Sequence, residues 1–215
     1  MKTTYLLRNL LAIAAGTGFL TGCVSDNYHQ GANTAAALNE SSAMITRSNT
    51  LIDESLADLN DLVSNPYPDL RKQFKRFNSA VDGLDASSKD VASKAVDMQS
   101  QGAAYFAKWD KDSARIQNED IRSRSEARRT EVAARFDRIS QQYADTKTAF
   151  APFMSDLRDV QKFLSTDLTA GGLAAIKATA AKATNDAIPV KDSLGRLSVE
   201  FKSLGLSMSP SADAR

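Results

Sequence analysis

Cys23 and His29 are the only cysteine and the only histidine in 215 residues, and both stand near the start of the chain. Cys23 closes the run Leu20-Thr21-Gly22-Cys23. A thiol preceded by small residues suits one chemistry in particular, lipid transfer, because sulfur is nucleophilic enough to accept the lipid and small residues fit a peptidase. The run looks like a bacterial lipobox. That likeness implies cleavage between Gly22 and Cys23, a diacylglycerol on the sulfur and an N-linked acyl chain such as palmitate on the freed amine. No other cofactor is expected. The alternative is an ordinary secretory signal in which Cys23 is incidental.

The residues before Cys23 agree with an export signal. Lys2 and Arg8 supply a basic n-region and residues 10–20 a short apolar h-region, too short to span a bilayer comfortably. Several acyl chains, each burying many methylenes, would anchor the protein essentially permanently. Val24 and Ser25 follow the cysteine, where an acidic residue often retains such proteins at the inner membrane. The expected address is therefore the inner leaflet of the outer membrane with the body facing the periplasm, ahead of the inner membrane or the cell surface. Residues 1–22 are read as the signal peptide and 23–31 as the lipidated cysteine and a flexible tether, in which His29 is simply solvated.

Other chemistries lack their parts. The mature body holds no histidine or cysteine to activate a nucleophile or bind a metal. Gly171-Gly172 lacks the lysine and hydroxyl of a phosphate loop. The 26 carboxylates are scattered on helix exteriors, where solvation is their ordinary role, so no catalytic residue and no metal site are assigned. Loss of Lys2 and Arg8 with the signal leaves a nearly neutral chain, which points to no nucleic-acid partner.

The elements behind these residues are long helices. Proline and glycine are scarce, at 5 and 10 residues. From Leu70 through Phe74, Phe77, Val81, Leu84, Ser88, Val91, Ala95, Met98, Gly102, Tyr105 and Trp109 to Asp112 and Ile116, the steps alternate between four and three. This is a heptad seam on a rod of about 70 Å. A first helix over about 32–63 carries Leu38, Ile45, Ile52 and Leu59 at intervals of seven, flanked by the weaker positions Ser42, Asn49, Leu56 and Val63. A third, over 119–166, runs from Val132 to Leu164 in the same steps with Pro152 in phase, and a fourth, over 170–205, carries Pro189 in phase. The breaks are the Pro66 and Pro68 turn, a tight hairpin capped by Asn118, and a turn capped by Thr169. Residues 207–215 read as a disordered tail.

Short connections make sequential helices antiparallel, so the expected fold is all-α, an elongated up-down bundle of four helices within 32–206. Two of them, 69–116 and 119–166, are longer and should project together as a hairpin over roughly 102–132. Turn-to-turn counting sets Gly102 across from Phe136, and Ser88, Ala183 and Ala187 level with Phe150, whose replacement by alanine should cost about 3–5 kcal/mol if the ring is buried. Phe74, Phe77, Phe150, Phe153 and Phe163 fall toward the four-helix end. Trp109, where the core thins, either caps the apolar end or offers an aromatic to a partner. Arg122, Arg124, Arg128 and Arg129 either form a solvated face with Asp110, Asp112, Glu119, Asp120 and Glu131 or meet anionic headgroups.

Tyr105-Phe106-Ala107-Lys108-Trp109, Arg122 with Ser125, Tyr143, Ala151-Pro152-Phe153, Phe163-Leu164 and Leu168-Thr169-Ala170 resemble a bacterial family of helical, coiled-coil lipoproteins catalogued only as a domain of unknown function. Its members place a lysine-histidine-asparagine run before that last leucine and an asparagine after it. Here Ser165, Thr166 and Asp167 precede Leu168, and Thr169 keeps the capping chemistry. The resemblance implies a fold and carries no activity.

The function expected is a periplasm-facing scaffold or adaptor, without catalysis, that meets protein partners or copies of itself through helix faces. The alternative is a carrier holding a small hydrophobic ligand or lipid between helices, with Pro152 and Pro189 opening the space. A pore-forming helical toxin ranks third, because no run in the mature chain is long and apolar enough to insert.

Overall fold

The computed structural model describes residues 25–209, with side chains from Ala32 onward. The residues read as a signal peptide, the expected Gly22–Cys23 cleavage point, the expected lipid site on Cys23 and the tail beyond 209 lie outside the described residues. Four helices follow in order: α1 (Ser25–Ser64), α2 (Arg71–Ser113), α3 (Glu119–Thr166) and α4 (Ala170–Met208). Among the described residues there is no strand. The protein is an antiparallel four-helix bundle in which α1 and α3 each pack against α2 and α4, and among the described residues the backbones of the diagonal pairs do not approach closely. The α2–α3 seam is the least extensive of the four.

The heptad apolar residues of α1 form the spine of the core: Leu38, Ile45, Ile52 and Leu59 are at most 1% exposed. The flanking line is the one three residues on, not four. Thr34, Ser41, Ser48 and Ser55 are buried with them, whereas Ser42, Asn49, Leu56 and Val63 are only half-buried. Serine can occupy this line because its hydroxyl is satisfied within its own helix. Ser41 donates to the Ala37 carbonyl (2.8 Å), Ser48 to Met44 (3.1 Å) and Ser55 to Leu51 (2.8 Å). The small side chains let neighbouring helices approach closely.

Each connection is held by a different device. Asn118 caps α3 by accepting from the Ile121 N–H at 3.0 Å, and Thr169 caps α4 by accepting from Gly172 at 3.1 Å. The α1–α2 turn is tied by Gln73, which is fully buried. Its Oε1 accepts from the Tyr67 N–H (2.9 Å), and its Nε2 donates to the Asn65 carbonyl (2.9 Å) and to Asp61 Oδ2 (2.9 Å). Gln73→Ala removes the partner of the Tyr67 N–H and the Asn65 carbonyl and is expected to lower the unfolding free energy by about 1–3 kcal/mol in urea titrations. An unchanged midpoint would show that water replaces the amide.

Several boundaries differ from the sequence expectation. Residues 25–31, expected as a flexible tether, belong to α1. Gly31 is the only strong breaker there, and one interior glycine costs only about 1 kcal/mol. The first helix therefore starts well before 32, and the fourth runs to Met208. Arg128 Nη2 donates to the Ser207 carbonyl at 3.1 Å, so only residues 119–127 of α3 extend past α4, roughly 13 Å. The long two-helix projection over 102–132 is corrected accordingly: Gly102 and Val132 are buried. α2 ends at Ser113, and its last turn closes with i to i+3 bonds at Arg115 and Ile116. Phe163 is 41% exposed and stands outside the core. Pro152 and Pro189 lie on solvent faces of continuous helices, and the carbonyls they free belong to the exposed residues Thr148 and Asn185.

Candidate functional site

α2 is buried near both ends, at Gln73, Phe77, Val81 and Leu84 and again at Gly102 and Ser113, with no fully buried residue between Leu84 and Gly102. At one end it is bridged to α3 by Asp85 with Arg158 and by Gln161 Nε2 donating to Asp82 (2.9 Å). At the other, Arg129 holds Asp110 through two bonds (2.9 and 3.0 Å), and Phe106 meets Phe136 edge-on at 5.3 Å. Between these clamps the two helices stand apart. The side chains α2 presents there, Ser88, Val91 and Ala92, are too short to close the gap. The expected register holds at the clamp: a Cβ on Gly102 would lie 3.0 Å from the Phe136 ring.

The gap is a cleft of about 340 Å³. One wall is Leu84, Ser88, Val91 and Ala92 of α2; the other is Tyr143, Phe150, Ala151 and Met154 of α3. Leu194 and Leu197 of α4 and Ser48 of α1 form the floor. Phe150 and Tyr143, one heptad apart, are half-buried because the line they occupy faces the gap. Burial raises the Tyr143 hydroxyl above its ordinary pKa, as an apolar setting requires. A small extension lined by Met44, Ala95, Met98 and Phe201 shares Val91, Tyr143 and Leu197 with the cleft.

The polar groups at the cleft floor already have partners. Ser48 meets Ser87 (3.0 Å), Ser88 donates to the Asp85 carbonyl (2.8 Å), and Thr146 donates to the Gln142 carbonyl (2.7 Å) and meets Ser193 (2.6 Å). What remains open is mostly hydrocarbon, with the Tyr143 hydroxyl on one wall and Lys89, Lys147 and Arg158 at the rim. A concave, mostly apolar space with a few charges at its mouth is the usual form of a small-molecule site.

The other residues singled out from the sequence gather at the hairpin tip. Trp109 is half-buried against the core. Its indole N–H donates to Ser125 Oγ at 2.9 Å, Ser125 meets Ser113 at 2.7 Å, and Tyr105 packs edge-on at 5.4 Å. Tyr105 is pushed up in pKa by burial. All four arginines have acidic neighbours: Arg122 with Glu119, Arg124 with Asp120 (2.9 Å), Arg128 with Glu131 (2.7 Å) and Arg129 with Asp110. Arg128 holds the Glu131 carboxyl below the ordinary carboxylate range, and Arg129 also covers the Phe106 ring at 5.1 Å. The tip residues thus contact one another, and the cleft lies elsewhere. Sequence reading named Ser88, Tyr143 and Phe150 as seam positions but missed their common site. The available signal was the run of small side chains on α2 opposite aromatic residues on α3.

Among the described residues no group of three acidic, histidine or cysteine side chains could hold a metal ion, and no helix is long and apolar enough to cross a membrane. A family model described as "Protein of unknown function (DUF2959)" matches residues 34–193, a span that includes both walls of the cleft. The chain belongs to this family. Nothing matches it among the curated proteins or among solved structures. The family carries no activity to set beside the cleft, so function rests on the chain's own geometry.

Proposed function

We propose that the protein is an outer-membrane-anchored periplasmic lipoprotein whose bundle carries a small hydrophobic ligand between α2 and α3 without transforming it. The observation that carries this reading is the apolar cleft, bounded by residues from all four helices. Packed interiors ordinarily leave few voids larger than a water molecule, and an opening of about 340 Å³ falls within the range of ligand sites. The anchor rests on Leu20-Thr21-Gly22-Cys23.

Protein purified from its native membrane should release a non-covalent apolar compound into organic solvent, in stoichiometric amounts, without hydrolysis. Ala92→Trp fills the cleft and should abolish that release while helical circular dichroism is retained. Release unchanged by the substitution would overturn the carrier reading. Separately, Cys23→Ser should abolish incorporation of labelled palmitate and free the protein from the membrane fraction.

A scaffold or adaptor is the second reading, and one observation favours it. Ile188, Val199 and Leu206 are 66%, 68% and 48% exposed, and their spacing sets them along one face of α4. Crosslinking in the native membrane that reproducibly captures one protein through this face would support the adaptor role.

A further inference from the structure

We propose that the cleft accepts one acyl chain that ends in a carboxylate, a free fatty acid. The inference rests on the carrier reading and adds the class of ligand. Volume sets the number of chains. A cleft of about 340 Å³ lies at the small end of ligand sites, a size that suits a single chain of about ten to twelve carbons.

Polarity sets where the head must lie. The floor hydroxyls of Ser48 and Thr146 are bonded to partners within the bundle, so apart from the Tyr143 hydroxyl on one wall a ligand's polar end meets its partners at the rim. Charge then sets the kind of head. The lining includes the cations Lys89, Lys147 and Arg158 and no carboxylate. Asp85, behind the rim, is shared by Lys89 (2.7 Å) and Arg158, so it offsets only one of the three positive charges. Lys147 makes no ion pair with any described residue. A carboxylate at the mouth lowers this excess from two charges to one, whereas a cationic head would add to it. The cleft lies roughly 35 Å along α1 from Ser25 at about 1.5 Å per residue. Chain and head are therefore both held well away from the end at which the lipid anchor would attach.

The test uses the full chain carrying Cys23→Ser, so that no acyl group of its own competes, titrated calorimetrically with dodecanoate, dodecanol and dodecyltrimethylammonium below their aggregation concentrations. Dodecanoate should bind about tenfold or more tightly than dodecanol, with the ammonium compound weakest. Lys147→Glu, at an exposed position that does not threaten folding, should weaken dodecanoate by about tenfold and leave dodecanol unchanged. Equal affinity for dodecanoate and dodecanol, unmoved by Lys147→Glu, would overturn the fatty-acid proposal and leave the carrier reading standing. Binding of none of the three would overturn both. Dodecanoate binding undiminished by Ala92→Trp, in a protein that keeps its helical signal, would place the ligand outside the cleft and also overturn the proposal.

Discussion

Phe153→Ala is expected to lower the unfolding free energy by about 3–5 kcal/mol, the usual cost of emptying a fully buried aromatic site. Phe150→Ala, three residues away, should cost less than half of that. The two rings touch, edge to face at 6.0 Å, and both lie on the apolar seam of α3, so the difference comes only from what surrounds them. Phe153 is fully buried, and its loss leaves a cavity that packed neighbours fill only in part. Phe150 is half-buried at the cleft wall, where water already has access and a shorter side chain merely widens an existing space. Thermal melts followed by circular dichroism should separate the variants clearly, since each kcal/mol moves the midpoint of a chain this size by about 2–4 °C. Equal losses would mean that the cleft is closed in solution. The sequence alone had assigned the full penalty to Phe150.

The second large effect is expected at the α3–α4 turn. Gly171 and Gly172 are adjacent and look interchangeable, yet alanine should act oppositely at the two sites. A Cβ on Gly172 would overlap the backbone carbonyl of Asp167, and it would also lie 3.1 Å from the Asp167 side-chain carbon. Backbone cannot swing aside as a flexible side chain can. Gly172→Ala must therefore displace the turn and disturb the Thr169 cap, which is itself steadied by its hydroxyl donating to Asp167 Oδ1 at 2.7 Å. A loss of about 2–3 kcal/mol is expected, in the range of overpacked cores and broken caps. At Gly171 the new Cβ meets only Thr169 Oγ1, at 3.6 Å, an ordinary contact. Gly171→Ala should be neutral or stabilising by up to about 1 kcal/mol through helix propensity and a less free unfolded chain. Chemical denaturation of the pair checks both signs, and similar losses at both positions would show that the turn differs from the one described.

Much of the candidate site was present in the sequence as separate letters. Ser88, Val91, Tyr143 and Phe150 all lie on predicted seams, and a seam position is ordinarily a core position. What turns them into a cleft is that α2 and α3 are joined closely only at the clamps on either side of it. A cavity is a property of four surfaces at once, whereas a heptad describes one. At the hairpin tip, Trp109 and Ser125 were both noted from the sequence, and their hydrogen bond became visible only when the two helices were paired in register.

The sequence by itself determined the number of helices, their antiparallel order and most of their turns. These depend on local chemistry: apolar steps of four and three, prolines at 66 and 68, and side-chain caps at Asn118 and Thr169 all act within a few residues of themselves. Only the tertiary structure decided that the buried flank of α1 is Thr34, Ser41, Ser48 and Ser55, that α1 and α4 lengthen to cover most of the projected hairpin, and that Phe150 lines an opening while Phe153 fills the core. Each of those outcomes turns on distances between helices. A serine is polar when alone and becomes suitable for the interior once its hydroxyl binds its own backbone and a neighbouring helix needs the room.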